Sequence, residues 1–221
     1  MRPAYALALG LTTMPLSVAA ADEPAAAPTS TTYALTASGS DVYVVIRNDE
    51  TASLSRLGHN HVIYASKFTG SVTWPSEAGG TCAIDIRVPV AALVVDPPGL
   101  RAKAGLDENT IDDSDKASLQ KNMWSAGQLD STHYTEVRFQ GTKCSGNSGA
   151  VKVDGTLTFR GKPIPLSVNM NVTAAPTSFA ASGKFESSHT ALGYKPFAAS
   201  FMGPRNQDRL SFTINVKGSP K

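Results

Sequence analysis

The sequence predicts an all-β fold: a lipocalin-like antiparallel β-barrel of about eight strands, with one helix in a long connection. Three observations predict it. Apolar and polar residues alternate in short runs along most of the chain, the period of strands with one face turned inward. Only one segment carries helical spacing. The longest runs form a hairpin from Val151 to Val172, and a set of strands this large removes its edges by closing.

In the hairpin, Val151, Val153, Leu157 and Phe159 alternate with polar residues up to the turn Gly161-Lys162-Pro163. Ile164, Leu166, Val168, Met170 and Val172 alternate after it. Two strands of about nine residues run roughly 30 Å at ~3.3 Å per residue. That length suits a deep barrel with a filled or fillable interior.

Taken from the start, residues 1–21 form a cleaved signal peptide. Arg2 precedes the apolar run Ala4 to Val18, and Ala19-Ala20-Ala21 supplies the small residues of a cleavage site. The run is too short to serve as a membrane anchor. Residues 22–32, rich in Ala, Pro and Thr, form a flexible leader. The barrel occupies 33–218, and the protein is expected in the periplasm or secreted.

Tyr33 to Arg47 gives two short strands split at Ser38-Gly39-Ser40-Asp41. Val62, Tyr64, Phe68, Val72 and Trp74 share one face of a long strand that Pro75 ends. Ile84, Ile86 and Val88 are the inward row of the next. Asp112, Asp113 and Asp115 mark a helix start, where carboxylates meet the positive end of the dipole. Leu119 and Met123 share that helix's apolar face, and Trp124 widens it. Strands resume with Val137 and Phe139, continue through the hairpin and Phe179 to Phe185, and end with Leu210 to Val216.

Composition removes several function classes. The 20 Lys and Arg nearly balance the 18 Asp and Glu, so no field favours nucleic acid. No further segment is apolar enough for stable membrane insertion. No Gly-x-Ser-x-Gly, phosphate loop or His-Glu-x-x-His is present, so no enzyme is expected. Nothing argues for or against a homodimer.

The two cysteines, Cys82 and Cys144, are expected to pair as a disulfide in an exported chain. Their parities conflict: Cys82 shares the inward row of Ile84, whereas Cys144 shares the outward row of Glu136 and Arg138. A bulge at Gly141, or a bond beyond the strand ends, would reconcile them.

The inward rows are apolar, which fits either a solid core or a tunnel for one apolar ligand. Small residues at Gly155, Ala181 and Gly183 are expected to leave room. The candidate walls are Phe68, Ile84 and Ile86 in the first half. Phe139, Leu157, Leu166, Val168 and Met170 follow in the middle, and Phe179 and Phe185 late. His59 and His61, in Gly58-His59-Asn60-His61, are candidates for a polar mouth. By parity with Val62 and Tyr64 they face outward. An alternative makes them a metal pair in an enzyme or redox partner, but two ligands do not close a site. A third possibility is a solid barrel acting only as an interaction module.

Several segments then resemble a known family. They are Gly58-His59-Asn60-His61-Val62, Phe68-Thr69-Gly70-Ser71-Val72, Leu129-Asp130, Tyr134 to Phe139, Val153-Asp154-Gly155-Thr156-Leu157-Thr158-Phe159-Arg160-Gly161, and His189 with Leu192-Gly193-Tyr194-Lys195-Pro196-Phe197. Their order is similar to that of the YceI-like polyisoprenoid-binding family, in its Gly-His-x-His branch, over about Tyr33 to Lys217. The family pattern usually has Pro after Tyr134, where this chain has Thr135. It often has Asp-Phe-Gly at the glycine of 193, where this chain has Ala191-Leu192-Gly193. The resemblance implies an exported carrier holding a polyprenyl lipid or quinone in an apolar tunnel. It implies no catalysis and no cofactor besides that ligand.

Overall fold

The structure, a computed structural model, describes residues 30–77, 80–107, 111–200 and 202–221. The expected signal peptide and the leader up to residue 29 lie outside the described residues. The last three leader residues do not: β1 begins at Ser30, so they belong to the barrel wall.

The strands are β1 (Ser30–Asn48), β2 (His61–Ala65), β3 (Thr69–Pro75), β4 (Ala83–Pro89), β5 (Leu93–Val95), β6 (Glu136–Ser145), β7 (Gly149–Phe159), β8 (Lys162–Ala175), β9 (Ser178–Ser188) and β10 (Asn206–Pro220). All pairings are antiparallel, and β10 returns to pair with β1, which closes the sheet. The ten segments make an eight-strand barrel. The lower half of β1 pairs with β3 and the upper half with β2, so β2 and β3 share one line. Likewise β4 pairs with β3, and β5 with β2.

Interruptions on these lines exchange the inward and outward faces. In β1 the register against β10 shifts between Thr36 and Asp41. Leu35 faces the interior below the shift, and Val42, Val44 and Ile46 face it above. The buried Ser40 holds the irregularity, donating to the Thr36 carbonyl at 2.6 Å and accepting from Lys217 N–H at 2.9 Å. Hence the two expected short strands are one strand with a bulge, which bends and twists without ending the ladder.

The expected long strand from Val62 to Trp74 is broken at residues 66–68, and the break flips its parity. Val72 and Trp74 face the interior, but so do His61, Ile63 and Ala65. Val62 and Tyr64 point outward, packed with Tyr43, Val45, Leu100 and Leu106 under the short helix α1 (Leu100–Lys103). A single 3₁₀ turn at Val90–Ala92 separates β4 from β5, carrying the inward row from Ile84, Ile86 and Val88 to Leu93 and Val95.

In β6 the register against β7 shifts between Gly141 and Lys143. That shift places Cys144 opposite inward-facing Val153, and Cys82 immediately precedes β4. The Cys82–Cys144 disulfide forms there, with Cα atoms 5.9 Å apart.

The helix α2 (Asp113–Trp124) is capped by Asp112, whose carboxylate accepts from Asp115 N–H at 2.8 Å. This bond, with one from the Ser114 hydroxyl, holds the Asp112 carboxyl below its ordinary pKa. The helix lies across the mouth, turning Leu119 and Met123 inward. One amide fixes it: Gln120 donates to Leu93 C=O at 2.8 Å and accepts from Val95 N–H at 3.2 Å. Trp124 does not widen the apolar face. It is partly exposed, and its indole reaches back to the Val90 carbonyl at 3.4 Å. No helix among the described residues is long and apolar enough to cross a membrane.

Candidate ligand cavity

The opposite end of the barrel is closed by packing. Trp74 lies 5.5 Å from Phe179, which lies 5.3 Å from Tyr33. The polar atoms of this floor are satisfied: Trp74 donates to the Asn147 carbonyl at 2.8 Å, and the Tyr33 hydroxyl to Ala175 C=O at 2.9 Å.

Between floor and mouth runs a cavity of about 580 Å³. That lies within the ~300–1,000 Å³ of small-molecule sites. Nine of the ten wall residues expected from sequence line it: Ile84, Ile86, Phe139, Leu157, Leu166, Val168, Met170, Phe179 and Phe185. Phe68 does not. It sits at the break between β2 and β3 and is buried in the cluster of Leu35 and Val72. Gly155 and Gly183 leave no room either. A Cβ on Gly155 would come 2.8 Å from Phe139 Cζ and 2.3 Å from the Gln140 carbonyl; one on Gly183 would come 2.4 Å from Met170 Sδ. Neighbouring backbone and side-chain atoms crowd both positions, and of the three only Ala181 faces the cavity.

The sequence reading missed Val42, Val44, Ile46 and Ile63, which line the upper wall. Phe212 also lines the cavity and stacks on Phe185 with centroids 4.6 Å apart. Leu192, in Ala191-Leu192-Gly193, is buried and lines the upper cavity, while Ala191 beside it is exposed.

The mouth holds the polar groups. His61 is turned inward rather than outward, because the break after Ala65 reverses the row. Its Nδ1 meets Asp96 Oδ2 at 2.8 Å, and Asp96 Oδ1 accepts from Val62 N–H at 2.8 Å. Asp96 has φ 43°, in the left-handed region that Asp and Asn tolerate best. Arg101 lies 3.3 Å from Asp96 and donates to Asn60 C=O at 2.6 Å and Asp107 Oδ1 at 2.7 Å. Burial pushes the Asp96 carboxyl up. The bonds from His61 and Val62, with the charge of Arg101, outweigh it and leave the carboxyl below its ordinary value.

His59 is exposed, its ring centroid 6.4 Å from that of His61. Gly58 is needed for close approach: a Cβ there would fall 2.1 Å from Asn48 Oδ1. Asn48 in turn holds the loop: its side-chain amide donates to Ser55 C=O at 2.7 Å, and its backbone N–H donates to Asn60 Oδ1 at 2.9 Å.

Of the other histidines, His189 is fully buried beside Tyr194, at 5.0 Å between rings, and both line the cavity. Burial lowers the His189 pKa and raises that of the Tyr194 hydroxyl. His133 sits on the outside, paired with Asp130 at 2.8 Å. Among the described residues no three His, Cys, Asp or Glu side chains come together to hold a metal.

At the rim, Asp49 accepts from the Thr51 hydroxyl at 2.6 Å and from Arg205 at 2.7 Å. These bonds hold its carboxyl at about 2, below the ordinary 3.8. A carboxyl depressed in the folded state stabilises above its unfolded pKa, and the contribution is lost as pH falls through the folded one. The stability difference between wild type and Asp49→Asn is therefore expected to vanish between about pH 4 and pH 2, read by urea titration at stepped pH. A difference unchanged across that window would contradict the pairing.

A family model for the YceI-like domain matches residues 33–217. The chain belongs to the YceI-like family. Two solved structures share the fold. BcnA of Burkholderia cenocepacia superposes with TM-score 0.58 at 13% identity, over 83% of this chain and 98% of that one. A YceI protein of Campylobacter jejuni superposes with TM-score 0.52 at 12% identity, over 70% and 82%. No curated protein matches the sequence. The YceI-like barrel thus holds its shape at identities where most side chains have changed.

Proposed function

We propose that this YceI-like protein is an exported carrier that holds an isoprenoid lipid, a polyprenyl lipid or quinone, in its barrel and performs no chemistry on it. The observation that carries the reading is the cavity: about 580 Å³, walled by aliphatic and aromatic side chains from Trp74 to Leu119, with polar groups only at the mouth. Burial supplies the affinity. At ~0.8 kcal/mol per CH₂, about ten buried carbons give ~8 kcal/mol, the scale of a micromolar Kd before association costs are deducted. The disulfide and the amino-terminal segment support export.

The test is native mass spectrometry of protein purified from an exporting host, followed by organic extraction and identification of what is released. About one isoprenoid per chain is expected. An empty barrel that also fails to take up added polyprenol would overturn the reading.

Val168 offers a second check. It is buried on the cavity wall of β8. In Val168→Trp the indole enters the space a tail would fill and displaces at least two methylenes, so polyprenol affinity is expected to fall by about tenfold or more. Far-ultraviolet circular dichroism would confirm the fold. Unchanged affinity in a folded variant would remove Val168 from the ligand path.

A further inference from the structure

The His61–Asp96 pair has a chemical consequence for what the cavity accepts. Asp96 is buried, with Oδ1 taken by Val62 N–H and Oδ2 shared between His61 Nδ1 and the Arg101 guanidinium. A carboxylate in that setting only accepts hydrogen bonds. The nitrogen 2.8 Å from it must therefore carry the proton. In a neutral imidazole with the proton on Nδ1, Nε2 is a bare lone pair. The ring lines the cavity, and among the described residues Nε2 has no hydrogen-bond partner. The charge of Arg101, 3.3 Å away, adds to the bonds from His61 and Val62 N–H that favour the carboxylate form of Asp96.

We propose that the Nε2 lone pair of His61 selects a ligand ending in an O–H donor, such as an alcohol, phenol or hydroquinone, over one with only acceptors, such as an ether, ester or quinone. The inference rests on the carrier reading above for the tail, and adds the chemistry of the head. An O–H group completes a hydrogen bond to Nε2 in the shelter of the barrel. An ether or carbonyl oxygen there places two lone pairs against each other and leaves both unpaired. Of the other polar groups lining this end, Asp115 on α2 is an exposed acceptor and Arg205 is engaged with Asp49 at the rim, while Asn48, Asn122, Gln128 and Tyr194 carry donors, so the selection rests on His61 Nε2 itself and is read by the His61 variant below.

The probes are geranylgeraniol and its methyl ether, which share a tail and differ in the O–H. Binding is measured at pH 8.5 by quenching of tryptophan fluorescence. The alcohol is expected to bind about tenfold more tightly. In His61→Phe the preference should fall below twofold while the ether's affinity is kept. Equal affinity of wild type for both probes would overturn the proposal and leave the carrier reading standing; no binding of either would overturn the carrier reading itself. Because His61→Phe removes the partner of a buried carboxylate and could prevent folding, ¹⁵N-histidine NMR on the wild-type protein supplies an independent arm. The His61 Nε2 resonance should be that of an unprotonated nitrogen and should move on adding geranylgeraniol but not the ether. A protonated Nε2 would overturn the assignment.

Discussion

Removing the disulfide with Cys82→Ala and Cys144→Ala together is expected to lower the unfolding free energy by about 4 kcal/mol. The two residues are 62 apart in sequence, and the entropy of an open loop that long sets the figure. Against a typical domain stability of roughly 5–15 kcal/mol, the loss would be a large fraction of the total. The structure says where it falls. Both cysteines pack in the cluster of Trp74, Val153 and Phe179 near the floor, so the bond ties the start of β4 to the end of β6 at the closed end. The double variant avoids a lone buried thiol and keeps small apolar side chains at both sites. Urea unfolding of the two proteins, with equal slopes, measures the difference. A loss below about 1 kcal/mol would mean that the denatured chain keeps β4 and β6 together without the bond.

The same bond shows what was legible in the sequence and what was not. Strand periodicity identified the barrel, its long β7–β8 hairpin and nine wall residues, because in those strands one face is apolar and the other polar. It failed where both faces are apolar. Val42-Tyr43-Val44-Val45-Ile46 carries no alternation, since Val44 and Ile46 face the cavity while Tyr43 and Val45 lie beneath α1. It failed again wherever a strand changes face midway. Parity read from Trp74 back through Phe68 to Val62 assumes an unbroken strand, and residues 66–68 break it. This one assumption turns His61 outward, where the structure has it inward, and puts Phe68 on the cavity wall, where the structure packs it against Leu35 and Val72 away from the cavity. The conflict between Cys82 and Cys144 was the visible trace of the same device in β6: a disulfide that parity forbids implies a bulge between the cysteine and the strand's other inward residues. Asp96 left no sequence signal. Its role depends on a left-handed turn that brings a carboxylate after β5 against a histidine 35 positions earlier.

Asp96→Ala should therefore be among the most damaging single substitutions at the mouth, costing about 4 kcal/mol. Breaking a buried ion pair by removing one partner costs roughly 3–5 kcal/mol, because the remaining charge stays buried. The low end, about 3, applies here, since Arg101 keeps Asp107 and the Asn60 carbonyl. To this is added about 1 kcal/mol for holding alanine at the left-handed φ of residue 96. Asp96→Asn separates the two contributions. Asparagine tolerates the backbone and can still accept from Val62 N–H, but it removes the charge that faces Arg101 and the acceptor for His61 Nδ1. It should lose about 2–3 kcal/mol, less than alanine and more than a surface change. Urea unfolding at neutral pH ranks the three proteins. Acid gives an internal check, with the sign fixed by the lowered Asp96 carboxyl. Its contribution is present above the unfolded carboxyl range and is lost as pH falls through the lower folded value, so wild type should converge on Asp96→Asn as pH falls below the ordinary carboxyl range. Equal stability of wild type and Asp96→Ala at neutral pH would mean that the mouth is held by β-sheet pairing alone, and that the fixed histidine tautomer has no structural anchor.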